Sequence, residues 1–328
     1  MRNNNLLYPA LLATSAYLIC GMAYGQTSRI PDSASDAHYD CPIPDSGEVL
    51  RQKALGLATA TYDRNKLGCA ADLWGVLARQ AEASPEVQIQ ALGVITRYLS
   101  EVNTLWDLDL YGIHAPEWSA RLQHATPLGK AIEARLEKLA PDLPASLASR
   151  ALFDLAWTAK QADTAAALKV SGDAVRQLKL ATSREKAVQG GNAMLALAKL
   201  EYELPEFSGG DPARGVDTIT EAFQLAAGNP GVIRYFAYVQ TQENHPDVAA
   251  RALKTLLPLP TTQGDLQQMA DELLAGRDLA QRLQDKSLQK LLADKRDTLL
   301  AAHHELLTRA HTAANLHGGV DPITGKEY

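Results

Sequence analysis

From about Gly47 onward the apolar residues recur three and four positions apart, and alternating β-branched runs are almost absent. That period places apolar side chains along one face of a helix rather than one face of a strand, so the pattern predicts an all-α protein. Breaks at Ser84-Pro85, Ala115-Pro116, Pro141 to Pro144, Ser171-Gly172, Gly190-Gly191, Gly209 to Pro212, Gly228 to Pro230, His245-Pro246, Pro258 to Pro260 and Gly318-Gly319 punctuate it. They divide the chain into about ten helices of ordinary length.

A repeat period is visible twice. From Arg51 to Pro85 two helices follow one another, with Ala70, the aromatic Trp74 four residues on and a closing proline. From Asn192 to Pro230 the order returns, with Gly215, Ile219, Ala222 and again a closing proline. Small residues let two helices approach closely while large ones fill the groove, so these units read as tetratricopeptide-like stacked helical hairpins. The turn inside the second unit, "LPEFSGGDPARG", could be taken for a phosphate cradle. Asp211 sits where an N-cap belongs and Pro212 at the first helical position, and no strand precedes the glycines, so the turn reads as punctuation between helices.

Composition narrows the function classes. The chain has 328 residues, 46% of them hydrophobic, which is ample for a large core. Its formal net charge is -6 and no segment carries a dense Lys/Arg run, so nucleic acid is excluded as an expected partner. The first 25 residues read as a signal peptide: Arg2, the apolar stretch "LLYPALLATSAYLIC", and the small-x-small site Ala23-Tyr24-Gly25 before Gln26. The mature chain is therefore expected in the periplasm. Cys20 would be a lipidation site, and the protein outer-membrane associated, but Tyr17-Leu18-Ile19 lacks the small residue and the leucine that such a site carries. Cleavage is the preferred reading. Two cysteines remain after it, Cys41 and Cys69, and in an oxidising compartment an even pair predicts a disulfide worth about 3 to 4 kcal/mol. The expected organisation is a signal peptide over 1–25, an extended segment over 26–46, a helical-repeat domain over 47–292 and a C-terminal helix and tail over 293–328.

Candidate chemistry is sparse. No HExxH, CxxC, GxSxG or Walker pattern occurs. His303, His304, His311 and His317 form the densest group of ligand types, but no carboxylate or cysteine completes a metal site, and no metal or other cofactor is expected. Asp107 and Asp109, near His114 and Glu117, fit a capping and solvation role better than acid/base catalysis. Trp106, Tyr111 and Trp118 crowd the same short segment. A second aromatic set shares helical faces: Phe153 with Trp157, Met194 with Tyr202, and Tyr235 with Tyr238. If those helices stack, the six residues are candidates for lining an interhelical cavity, against the alternative of plain core packing.

The order Gly190-Gly191-Asn192, Tyr202, Leu204-Pro205, Gly209-Gly210-Asp211, Ala222-Phe223 and then "VIRYFAYVQTQENHPDVAARALKTLL" resembles the TatT family, the T component associated with TRAP transporters. "ALFDLAWTAK" and "DLQQMADELLAGRDLAQRLQ" extend the likeness over roughly Leu122 to Leu292. The resemblance implies an exported helical-repeat protein with a cavity or pore through its stack, working beside a periplasmic solute-binding protein or other transporter component on apolar or organic-acid ligands. Similar helical proteins serve lipid and sterol carriage. The leader and the extension after Leu292 depart from the family pattern. The resulting expectation is a non-enzymatic periplasmic transport protein that binds an apolar small molecule or lipid, a sterol-like one included, with a homo-oligomer left open. The alternative is a docking scaffold with a polar concave face.

Overall fold

In the computed structural model, the described residues are 41–303, apart from 45–46, 60–62, 81, 110–111, 161–162 and 262–265. The expected leader with Cys20 and Ala23-Tyr24-Gly25, the segment 26–40, Tyr111, and His304, His311 and His317 lie outside them. Among the described residues twelve α-helices follow in order: α1 Gly47–Ala58, α2 Arg64–Arg79, α3 Pro85–Leu108, α4 Ala115–Leu139, α5 Pro144–Thr158, α6 Thr164–Arg184, α7 Asn192–Glu203, α8 Pro212–Leu225, α9 Pro230–Gln242, α10 Pro246–Lys254, α11 Leu266–Arg282 and α12 Lys286–Ala302. No strand occurs among the described residues.

Local chemistry sets most of these starts. Prolines stand at the first position of α3, α5, α8, α9 and α10, where a missing N–H costs nothing. Asp63, Asp163, Asp211, Asn229 and Asp285 each accept from backbone N–H groups of the turn that follows. The expected break at Ser171-Gly172 is corrected: α6 runs straight through it. Ser171 donates its hydroxyl to Ala167 O inside the helix, and a helix tolerates one glycine for about 1 kcal/mol. The boundary falls earlier instead, where Asp163 caps the N–H groups of Ala165 and Ala166.

Consecutive helices pack as hairpins, α1 on α2, α3 on α4, α5 on α6, α7 on α8, α9 on α10 and α11 on α12. The first helix of one hairpin also packs on the first helix of the next, α3 on α5, α7 on α9 and α9 on α11. This is the stack of helical hairpins that the sequence pattern predicts. The spacing between α7 and α8 depends on Gly215: a Cβ there would come within 2.7 Å of Tyr202 N. Only a residue without a side chain lets the two backbones approach so closely. The core has three large stretches along the stack, around Trp74, Tyr98 and Phe153, around Ala151, Leu178 and Leu197, and around Ile219, Tyr235 and Leu253, with a small fourth one of Leu266, Ala270 and Leu300. Leu292 belongs to the third large stretch, so the expected domain boundary at 292 falls inside α12, and that helix completes the final hairpin.

Cys41 and Cys69 are joined by a disulfide, which ties the segment before α1 to the middle of α2 across 28 positions. No helix among the described residues is long and apolar enough to cross a membrane.

Candidate functional site

Helix α3 contributes to two surface clefts. Ala91, Leu92, Ile95, Tyr98, Leu99 and Val102 are buried in the first core. A second stripe, Gln90, Val94, Arg97, Glu101 and Thr104, recurs at three- and four-residue spacing and therefore shares one face, with Val94 also reaching the core. That face lines two clefts. The larger, of about 500 Å³, is walled by Arg97, Ser100, Glu101 and Thr104 of α3, by Asn192 at the start of α7, and by Gln267, Gln268, Asp271 and Glu272 of α11. The smaller, of about 370 Å³, is walled by Leu55, Ala58, Trp74, Val94, Leu152 and Ser149, with Gln90, Thr96 and Gln189. Arg97 and Asn192 belong to both walls, so the clefts adjoin.

Helices distant in sequence meet here. Gln267 donates from Nε2 to Glu101 Oε2 at 2.5 Å, while its own Oε1 makes no hydrogen bond. Glu101 is only 4% exposed. Glu272 accepts from Arg234 Nε at 2.6 Å, which anchors the α11 wall to α9. In the smaller cleft Trp74 is 2% exposed and its indole N–H is without a hydrogen-bond partner. Gln189 stands in the left-handed region, φ 54° and ψ 40°, and its Nε2 donates to Ser149 Oγ at 2.6 Å. A non-glycine residue held there costs on the order of 1 kcal/mol, which the side-chain bond to α5 helps offset.

None of the six aromatic and methionine candidates belongs to either cleft wall. Phe153 is fully buried in the first core, its ring lying where a Cβ on Gly129 would stand, 2.1 Å from Cε2. The ring and the glycine are fitted to each other, as core residues are. Trp157 is half-buried beside the same core, donates from Nε1 to Asp154 Oδ1 at 2.9 Å, and lies under Lys130 Nζ at 3.6 Å from the ring centre. Met194 is buried in the third stretch of core.

The three tyrosines do come together, but on a polar seam between α7 and α9. Tyr235 and Tyr238 rings lie 5.6 Å apart. Tyr235 donates its hydroxyl to Glu203 Oε1 at 2.8 Å, and Tyr202 donates to Glu243 Oε1 at 3.1 Å. Burial pushes all three phenol pKa values up, with Glu203 or Glu243 adding to it. Lys199 and Arg234 sit over the Tyr235 ring at 5.4 and 5.8 Å, and burial with the Arg234 charge pushes the Lys199 pKa down. Because Arg234 also holds Glu272, this seam braces the larger cleft from behind.

The Asp107 and Asp109 segment is structural. Asp109 accepts from the backbone of Ile113 and His114 and from Trp118 Nε1, which fixes the entry into α4. Asp107 pairs with Lys160, and Glu117 with Arg64 and Arg121. Trp118 is buried and Trp106 packs against the same core.

Sequence reasoning missed the larger cleft because most of its residues are unremarkable polar side chains. The available signal was the polar stripe on α3; its partner on α11 carried none. No family model matches this chain, and no curated protein matches it.

Proposed function

We propose that this protein binds an amphipathic small molecule in the adjoining clefts of its hairpin stack and hands it on within an exported transport system. The observation that carries this reading is the pair of clefts sharing Arg97 and Asn192, the larger lined mainly by polar side chains and the smaller by Leu55, Trp74, Val94 and Leu152 together with polar ones. Their volumes, about 500 and 370 Å³, fall within the range of small-molecule sites. The Gln267 to Glu101 contact joins α11 to α3 across the larger cleft, where a docking scaffold would leave room for a partner's helix. The likeness to TatT-type proteins, the leader and the disulfide support periplasmic work beside a solute-binding protein or transporter component. The ligand class shifts from purely apolar, a sterol-like lipid included, to one with a polar end, because the aromatic candidates lie outside both cleft walls.

Docking of a partner's polar tail is the second reading, favoured by Glu101, Asp271 and Glu272 in the larger wall. Native mass spectrometry of the purified mature chain, loaded with a total bacterial lipid extract, separates the two. A bound mass that disappears on denaturation is expected. Its absence from loaded samples overturns the small-molecule reading.

A further inference from the structure

Resting on the small-molecule reading, the hydrogen-bonding groups that the cleft walls leave open specify the ligand further. The charged side chains of those walls are already engaged. Glu101 accepts from Gln267, Glu272 is paired with Arg234, and Arg97 and Asp271 have partners of their own. An ionic head would have to compete with these pairs and lose its own hydration to do so, whereas an uncharged head only exchanges one set of hydrogen bonds for another.

What stays open is neutral. In the larger cleft Ser100 and Gln268 make no side-chain hydrogen bond to another described residue, and Thr104, which donates to Ser100 O, still has an oxygen that accepts. The buried side-chain atoms left unpaired in the two walls are neutral as well, Gln267 Oε1 in the larger and Trp74 Nε1–H in the smaller. Asn192, common to both walls, accepts from Asn229 on its Oδ1 and keeps its amide N–H groups to donate. Amides and hydroxyls between them both give and take, which suits a group that does the same, the alcohol hydroxyl. The smaller cleft adds the apolar side chains of Leu55, Val94 and Leu152.

We infer that the ligand is an uncharged amphiphile with a hydroxyl-rich head, of the chemical class of an alkyl glycoside. The head lies in the larger cleft against Ser100, Thr104 and Gln268, the oxygen that links head to chain accepts from Asn192 at the junction, and the chain runs along Leu55, Val94 and Leu152.

Four probes with the same eight-carbon chain test this by calorimetry on the mature protein, below their micellar concentrations: octyl glucoside, octanoate, octyltrimethylammonium and 1-octanol. Octyl glucoside is expected to bind about tenfold or more tighter than the other three, the effect of one or two neutral hydrogen bonds. Gln268→Leu should weaken octyl glucoside several-fold and leave 1-octanol unchanged. Leu55→Gln, at a position 40% exposed and so tolerant of the change, should weaken all four probes alike. Tighter binding of either ionic probe, equal affinity for octyl glucoside and 1-octanol, or octyl glucoside binding that Gln268→Leu leaves intact overturns the uncharged-head inference and leaves the small-molecule reading standing. No binding of any probe removes both.

Discussion

Gln267 on α11 donates to Glu101 on α3 at 2.5 Å, a contact between residues 166 positions apart that joins the second hairpin of the stack to the last one. Glu101 is 4% exposed, so a donor removed there is not replaced freely by water. Gln267→Leu should lower unfolding free energy by about 1 to 3 kcal/mol, measured by urea denaturation. It should also loosen the cleft, giving faster amide exchange at the start of α11. A variant with wild-type stability and exchange would show that the contact does not hold the cleft together.

Glu201 of α7 is a second buried carboxylate, and it ties three helices. It is 0% exposed, Lys179 Nζ of α6 lies at 3.1 Å and Arg214 Nε of α8 at 3.2 Å, and Thr218 donates to its Oε2 at 2.7 Å. Removing one member of such a group leaves its partners without their countercharge. Because Lys179 and Arg214 remain open to water, Glu201→Ala should cost about 1 to 3 kcal/mol, whereas Glu201→Gln, which keeps the Thr218 bond, should cost less. Chemical denaturation of the two variants checks the order. Equal losses would mean that shape rather than charge matters at this position.

The capping chemistry explains how much of this fold could be read from sequence. Asp211 and Pro212 mark the start of α8 because their local geometry needs no distant partner. Ser171 and Gly172 misled for the same reason: their turn propensity is local, and the packing of α6 between α5 and α7 overrides it. The cleft was harder. Phe153 has the chemistry of a cavity wall, but Gly129 offers it a slot, and that pairing between two helices is not written in the spacing of either. Glu101 and Gln267 are likewise ordinary polar residues until the stack brings α11 against α3. Helical periodicity states which face a residue is on, not which other face it will meet.

A final prediction concerns pH. Glu133 of α4 and Asp154 of α5 face each other within hydrogen-bonding reach, with Glu137, Arg150 and Lys130 around them and Trp157 Nε1 donating to Asp154. Burial, then the Asp154 charge, pushes the Glu133 carboxyl up to about 7, and burial likewise pushes the Asp154 pKa up. A folded-state pKa above the unfolded one means that the folded protein holds its proton more tightly. The stability from this source is fully present below the unfolded carboxylate range of about 4.5 and is lost as pH rises through about 7. Both groups are partly open to solvent, so screening reduces the effect to the order of 1 kcal/mol. The thermal midpoint should therefore fall between about pH 5 and pH 8 by a few degrees more than in Glu133→Gln. The variant lacks the titrating carboxyl and keeps a hydrogen-bond donor for Asp154, so its profile should be flatter and its midpoint at pH 8 higher than that of the parent. Parallel profiles for the two proteins would locate the titration elsewhere.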